Sequence, residues 1–146
     1  MYFTGQKRMA RNILRKVLAF YAENPHGFAT IIIDSLKQDA RRCARAIRER
    51  DEKALAEAIS NYWRDKKLLD PGSTNSRIDE LADLAKPHAN AVTLAGAGGG
   101  GFMFMLAKSR RDADRIRSLF EAHAPSSVSR FYDFEVSASG ISLMKR

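Results

Sequence analysis

Six consecutive positions hold most of the chemistry that this chain of 146 residues offers: Gly96-Ala97-Gly98-Gly99-Gly100-Gly101. Five of the nine glycines fall there. Glycine costs conformational entropy, so a cluster implies a backbone that takes positive φ or comes very close to something. Successive exposed N–H groups in such a turn form an anion-binding nest. The segment is not a Walker A loop, because the lysine–serine/threonine pair is absent and a strand-like run, Phe102 to Ala107, follows in place of a helix. A plain hairpin needs only one or two glycines, so the run reads as a loop that approaches a ligand.

Other polar residues are weaker candidates. Phosphoryl transfer is mostly positioning and charge stabilisation, which a nearby lysine or arginine assists. Lys66, Lys67 and Arg77 qualify by type, with solvated surface charge as the ordinary alternative. Asn75 could contact a ligand, but it also stands where a helix cap is expected. His26, His88 and His123 sit beside or near prolines without metal-ligand spacing and are assigned no chemistry. Cys43 stands alone and reads as a small buried hydrophobe, and Trp63 as a core residue.

The elements that position the loop follow from periodicity. Met9, Ile13, Leu14, Val17, Leu18 and Tyr21 predict a helix from Gln6 to about Ala22, stopped by Asn24-Pro25-His26-Gly27. A second helix is predicted from Phe28 to Arg48, with Ile32, Leu36, Cys43 and Ile47 inward. Asp51 caps a third, whose face is Leu55, Ala58, Ile59, Tyr62 and Trp63, ending at Asp70-Pro71-Gly72. Asn75 and Ser76 open a fourth through Ala85, Ser76 and Asp79 having capping-box spacing. Then the period changes: Ala91 to Ala95 and Phe102 to Ala107 read as buried strands joined by the glycines. Ser109 and Asp112 cap a fifth helix, and Phe131–Val136 and Ile141–Met144 read as two more strands.

This order is α+β, with several helices packed on one face of a small antiparallel sheet, close to the split β-α-β pattern of ferredoxin-like folds. Such a sheet wants a strand ahead of the first helix, and only Met1-Tyr2-Phe3 stands there. The chain therefore reads as beginning within an element, as a separated half of a larger protein would. No apolar run approaches the roughly 18 residues of a membrane span, and Met1 to Arg8 lacks the apolar core of a secretory signal, so a cytoplasmic location and no membrane partner are expected.

The glycine segment with Phe102, preceded by an apolar strand, resembles the third conserved motif of the GHMP kinases. Phe3-Thr4-Gly5 with Arg8 and Ala10 is similar to the segment that opens the C-terminal domain there. Tyr62-Trp63-Arg64-Asp65-Lys66-Lys67 and Thr74-Asn75-Ser76-Arg77-Ile78-Asp79-Glu80-Leu81 resemble the branch of L-fucose and heptose-phosphate kinases. The tail from Phe102 through His123-Ala124-Pro125 is most similar to L-fucose kinases. The resemblance implies that residues 1–146 are a GHMP kinase C-terminal domain from an enzyme phosphorylating the anomeric hydroxyl of L-fucose or a related sugar; a heptose-phosphate kinase is the alternative. It implies ATP and magnesium in the intact enzyme, held mainly by an N-terminal half with no counterpart here. That half carries the catalytic aspartate, so no aspartate of this chain is nominated as base, and the chain alone is expected to be inactive. It further implies that Gly96, Ala97 and Gly98 to Gly101 shape the substrate and nucleotide pocket, with Arg8 as a weak candidate facing the cleft.

The net charge is +8. Residues 1–70 carry 15 Lys/Arg against 9 Asp/Glu, and residues 71–146 carry 10 against 8. A basic field attracts nucleic acid, phosphorylated ligands or acidic surfaces, and Gly100 to Met105 resembles the aromatic strand of an RNA-binding module. That module needs a basic residue ahead of the strand and has no place for the helical first half, so no nucleic-acid partner is expected. An unpaired sheet edge would instead invite an N-terminal kinase half or a second copy of the chain.

Overall fold

A computed structural model describes the backbone of residues 1–6 and 10–136 and the side chains of 1–6 and 15–136. Its elements run β1 (Tyr2–Phe3), α1 (Ala10–Glu23), α2 (Phe28–Glu49), α3 (Glu52–Leu69), a 3₁₀ turn (Pro71–Ser73), α4 (Ser76–Ala85), β2 (Ala89–Leu94), β3 (Phe102–Ala107), α5 (Arg110–Ala122) and β4 (Arg130–Phe131). The strands form one antiparallel sheet in the order β2-β3-β1-β4. That order, with β1 inside and the hairpin β2–β3 beside it, is the ferredoxin-like arrangement. The α+β architecture expected from the sequence is thus present, with five α-helices among the described residues.

Tyr2-Phe3 is not a remnant beside the sheet but its centre. Tyr2 pairs with Met103 on one side and Phe131 on the other. Its ring, 1% exposed, meets Phe120 edge-on at 4.8 Å and Phe131 at 4.8 Å. Around it lie Trp63, Ile78, Leu81, Leu94, Met103 and Ile116, from α3, α4, β2, β3 and α5. Burial of these side chains stabilises the fold by roughly 1.5–3 kcal/mol each for the larger ones.

Local chemistry sets the helix ends. The Asp51 carboxylate accepts from the Ala54 amide at 2.9 Å, as expected of a cap. Arg50, at φ 56°, takes the left-handed conformation that ends α2. Ser109 caps α5 through the Asp112 amide at 3.1 Å, and its hydroxyl donates to the Asp112 carboxylate at 2.6 Å.

Several expectations need correction. The inward stripe of α2 is Ile32, Asp39 and Ala46, at seven-residue steps, whereas Ile47 is 63% exposed. One position on a helix is 100° of rotation, enough to carry Ile47 off the face that α3 covers. Asp39 is fully buried, bonded to Arg42 Nη1 at 3.0 Å, and its Oδ2 has no partner among the described residues. Cys43 is half-buried, and burial, with Asp39 adding to it, pushes its thiol up. The cap of α4 is Asn75, accepting from the Ile78 amide at 3.1 Å, and Asp79 is taken by the Thr74 hydroxyl at 2.8 Å instead of completing a box with Ser76. The strand expected over Phe131–Val136 pairs only at Arg130 and Phe131, because its partner β1 offers two residues. The start of the first helix, Arg8 and the strand expected at Ile141–Met144 lie outside the described residues.

Candidate functional site

The glycine segment links β2 to β3, and three other elements hold it. From α3, the Lys66 ammonium donates to the Leu94 carbonyl at 2.9 Å and to the Gly96 carbonyl at 2.6 Å. From the turn before α4, the Ser73 carbonyl accepts from the Gly99 amide at 2.6 Å, and Asn75 Nδ2 donates to the Gly99 carbonyl at 3.2 Å. From the end of β1, the Gln6 carbonyl accepts from the Gly101 amide at 2.9 Å, while the Thr4 amide and hydroxyl both reach the Gly101 carbonyl, at 2.9 and 3.0 Å. Asn75 Nδ2 also donates to Gln6 Oε1 at 2.8 Å, which ties the last two supports together.

The glycines are needed where these supports crowd the loop. Gly98 has φ +93°, and a Cβ there would strike the Ser73 carbonyl oxygen and lie 2.9 Å from Ser73 Cα. A Cβ on Gly100 would meet the Gln6 carbonyl oxygen at 2.5 Å. What the supports leave over is equally definite: the amides of Gly96, Ala97, Gly98 and Gly100 have no hydrogen-bond partner among the described residues. Of these four residues Gly96 is exposed, Ala97 and Gly98 are half-buried and Gly100 is buried; unclaimed backbone N–H groups in succession are the kind of donor that binds oxyanions.

Lys66 is 6% exposed, and burial pushes its ammonium down to about 8. The Tyr62 and Trp63 rings lie 5.1 and 5.4 Å from it, which offsets part of the desolvation. Its donors point at loop carbonyls, so it acts on the loop from beneath. Lys67 Nζ also lies 5.4 Å from the Trp63 ring, and its side chain lines a cleft with Asp79, Asp83 and Lys86. Arg77 pairs with Glu80 at 2.8 Å on the exposed face of α4. Of the side chains singled out in the sequence, the structure therefore brings Lys66 and Asn75 to the loop and gives Lys67 and Arg77 other neighbours. Ser73 and Gln6 were not legible in the sequence: Ser73 acts on the loop through its backbone carbonyl, and Gln6 through its backbone carbonyl and the Oε1 that accepts from Asn75. Among the described residues no group of three or more His, Cys, Asp or Glu could hold a metal ion, and no helix is long and apolar enough to cross a membrane.

Residues 43–125, from the middle of α2 to just past α5, match the family model described as GHMP kinases C terminal. The chain belongs to the GHMP kinases, as their C-terminal domain. Curated relatives agree with this. The GHMP chain is 31% identical over 137 residues to the bifunctional fucokinase/GDP-fucose pyrophosphorylase of Arabidopsis thaliana, a match covering 92% of this chain and 12% of that protein. It is 28% identical over 145 residues to the L-fucokinase/L-fucose-1-P guanylyltransferase of Bacteroides fragilis, covering 99% and 15%. With the D-glycero-alpha-D-manno-heptose 7-phosphate kinase of Campylobacter jejuni it shares 28% identity over 120 residues, covering 82% and 34%. The chain thus spans between about an eighth and a third of the length of these relatives. Among solved structures, the mevalonate kinase of L. major in complex with R-mevalonate superposes with TM-score 0.73 at 19% identity, over 85% of this chain and 39% of that one. A Listeria innocua protein does so with TM-score 0.75 at 20% identity, over 84% and 36%. Both share the fold.

Proposed function

We propose that this GHMP domain is the C-terminal part of an ATP-dependent sugar kinase that phosphorylates the anomeric hydroxyl of L-fucose or a related sugar. The observation that carries the reading is the glycine loop, pinned from three sides with four amides left over. In phosphoryl transfer the P–O bond to the sugar oxygen forms as the bond from the γ-phosphorus to the departing ADP oxygen breaks, and the hydroxyl proton leaves to a base. Charge spreads over the phosphoryl oxygens in the transition state. Backbone donors fixed in advance stabilise that charge without reorganising, and losing one such donor costs about 10²–10³ in kcat in well-studied cases.

Residues 1–146 serve, in this reading, as one domain forming one wall of the cleft. In the same reading ATP and magnesium are held mainly by an N-terminal half, as membership of the family implies, and the free amides of the loop fit phosphoryl oxygens. The fucokinases among the relatives favour L-fucose; the Campylobacter relative supports a heptose phosphate as the second reading. A coupled ADP-release assay tests this, run with ATP, magnesium and either L-fucose or heptose 7-phosphate, on the chain alone and mixed with the N-terminal kinase half of a fucokinase. The expected result is turnover only in the mixture and only with L-fucose. Turnover with the heptose phosphate alone would favour the second reading, and turnover by the chain alone would overturn the division of labour.

A further inference from the structure

The Lys66 ammonium is an expensive object to bury. Removing an unpaired ammonium from water costs several kcal/mol, and no carboxylate lies within ion-pair distance of it among the described residues. What faces it is the Tyr62 and Trp63 rings from α3 and the carbonyls of Leu94 and Gly96 from β2 and the loop. An unbranched apolar side chain could fill the same space at less cost, so packing alone does not account for the charge.

The carbonyls it bonds do account for it. In a trans peptide the C=O of one residue and the N–H of the next point in opposite directions. With the Leu94 carbonyl turned to Lys66, the Ala95 amide points the other way, and it donates to the Phe102 carbonyl at 2.8 Å, closing the hairpin. With the Gly96 carbonyl turned to Lys66, the Ala97 amide points away from α3, and it is one of the four left without a partner. Gly96 itself, at φ +66° with nothing within 4 Å of a Cβ, has no steric wall to choose this orientation. Asn75 does the equivalent for another of the four donors, holding the Gly99 carbonyl so that the Gly100 amide faces away from the Asn75 side chain.

We propose that Lys66 is the positioning residue of the glycine loop, its ammonium fixing the Gly96–Ala97 peptide plane so that the Ala97 amide is presented to the phosphoryl group. The inference rests on the kinase reading for the identity of that group; the orientation of the peptide needs no substrate to be tested, so failure of one is distinguishable from failure of the other.

The experiment is NMR on the isotope-labelled chain, comparing it with Lys66→Met, which keeps the stem and removes the donors. The expected result is a changed Gly96 carbonyl-carbon shift and a displaced Ala97 amide resonance, because the peptide that joins them loses its donor, with the Met103 amide of β3 unchanged. A folded variant with Gly96 and Ala97 signals like those of the native chain would overturn the proposal. If Lys66→Met fails to fold, the native chain is titrated instead. The Gly96 carbonyl shift then follows loss of the Lys66 proton near pH 8, while a shift that stays flat across that range refutes the assignment.

Discussion

The Gly99 amide donates to the Ser73 carbonyl at 2.6 Å, and this bond presses Gly98 against the turn so closely that a Cβ at 98 would collide with Ser73 backbone atoms. Backbone cannot swing aside as a flexible side chain can. Gly98→Ala is therefore expected to destabilise the domain by about 1–3 kcal/mol, through overpacking and the left-handed φ together. Gly96→Ala, in open space, is expected to cost only the left-handed penalty of about 1–2 kcal/mol. Urea unfolding of the two variants checks the order; equal losses would show that the contact with Ser73 does not constrain the loop.

Asn75 serves two masters, capping α4 through Ile78 and holding Gly99 and Gln6 through its amide nitrogen. Asn75→Asp keeps the cap and loses both donations, whereas Asn75→Ala loses everything. The alanine variant is expected to lose about 1–2 kcal/mol, mostly the cap. The aspartate variant should retain most of the stability while the Gly99 and Gly100 amide signals move. Unmoved signals in the aspartate variant would contradict the link between Asn75 and the loop.

Lys66 gives the stability a pH dependence whose sign follows from its depressed value. Between about 8 and its ordinary 10.5 the unfolded chain holds a proton that the folded chain has released, so the unfolding free energy rises with pH across that window. Below about 8 both states are protonated and the cost of burial is present in full. Cys43, pushed up by burial and Asp39, pulls the opposite way near pH 9, but equally in any Lys66 variant. Urea unfolding at pH 7.5, 8.5 and 9.5 should show the native chain gaining on Lys66→Met as pH rises. Parallel curves for the two proteins would refute it.

Much of the architecture was legible because it rests on local rules. The 3.6-residue period, Asp51 and Ser109 as caps and the prolines at element ends placed α2, α3 and α5 within a residue or two. The centrality of Tyr2 was not legible, since a two-residue strand has no period to read; only its pairing with Met103 and Phe131 gives it meaning. Asp39 inside a helix stripe and Ile47 outside it reversed the ordinary preference of their types, which follows from where α3 happens to lie. At the candidate site the glycines announced themselves by number. Lys66 was visible only as a charge near the right motif, because its value comes from a contact 30 residues away with a carbonyl. Ser73 and Gln6 touch the loop itself through backbone oxygens, which every residue possesses.

In the proposed function the glycine loop is a working wall of a sugar kinase. It is tested most directly by measuring L-fucose-dependent ADP release from a one-to-one complex of this chain with an N-terminal fucokinase half, native beside Gly98→Ala, both verified as complexes by light scattering. The variant is expected to lose roughly a hundredfold in kcat, the scale of one misplaced backbone donor. A variant complex that turns over at the native rate would contradict it.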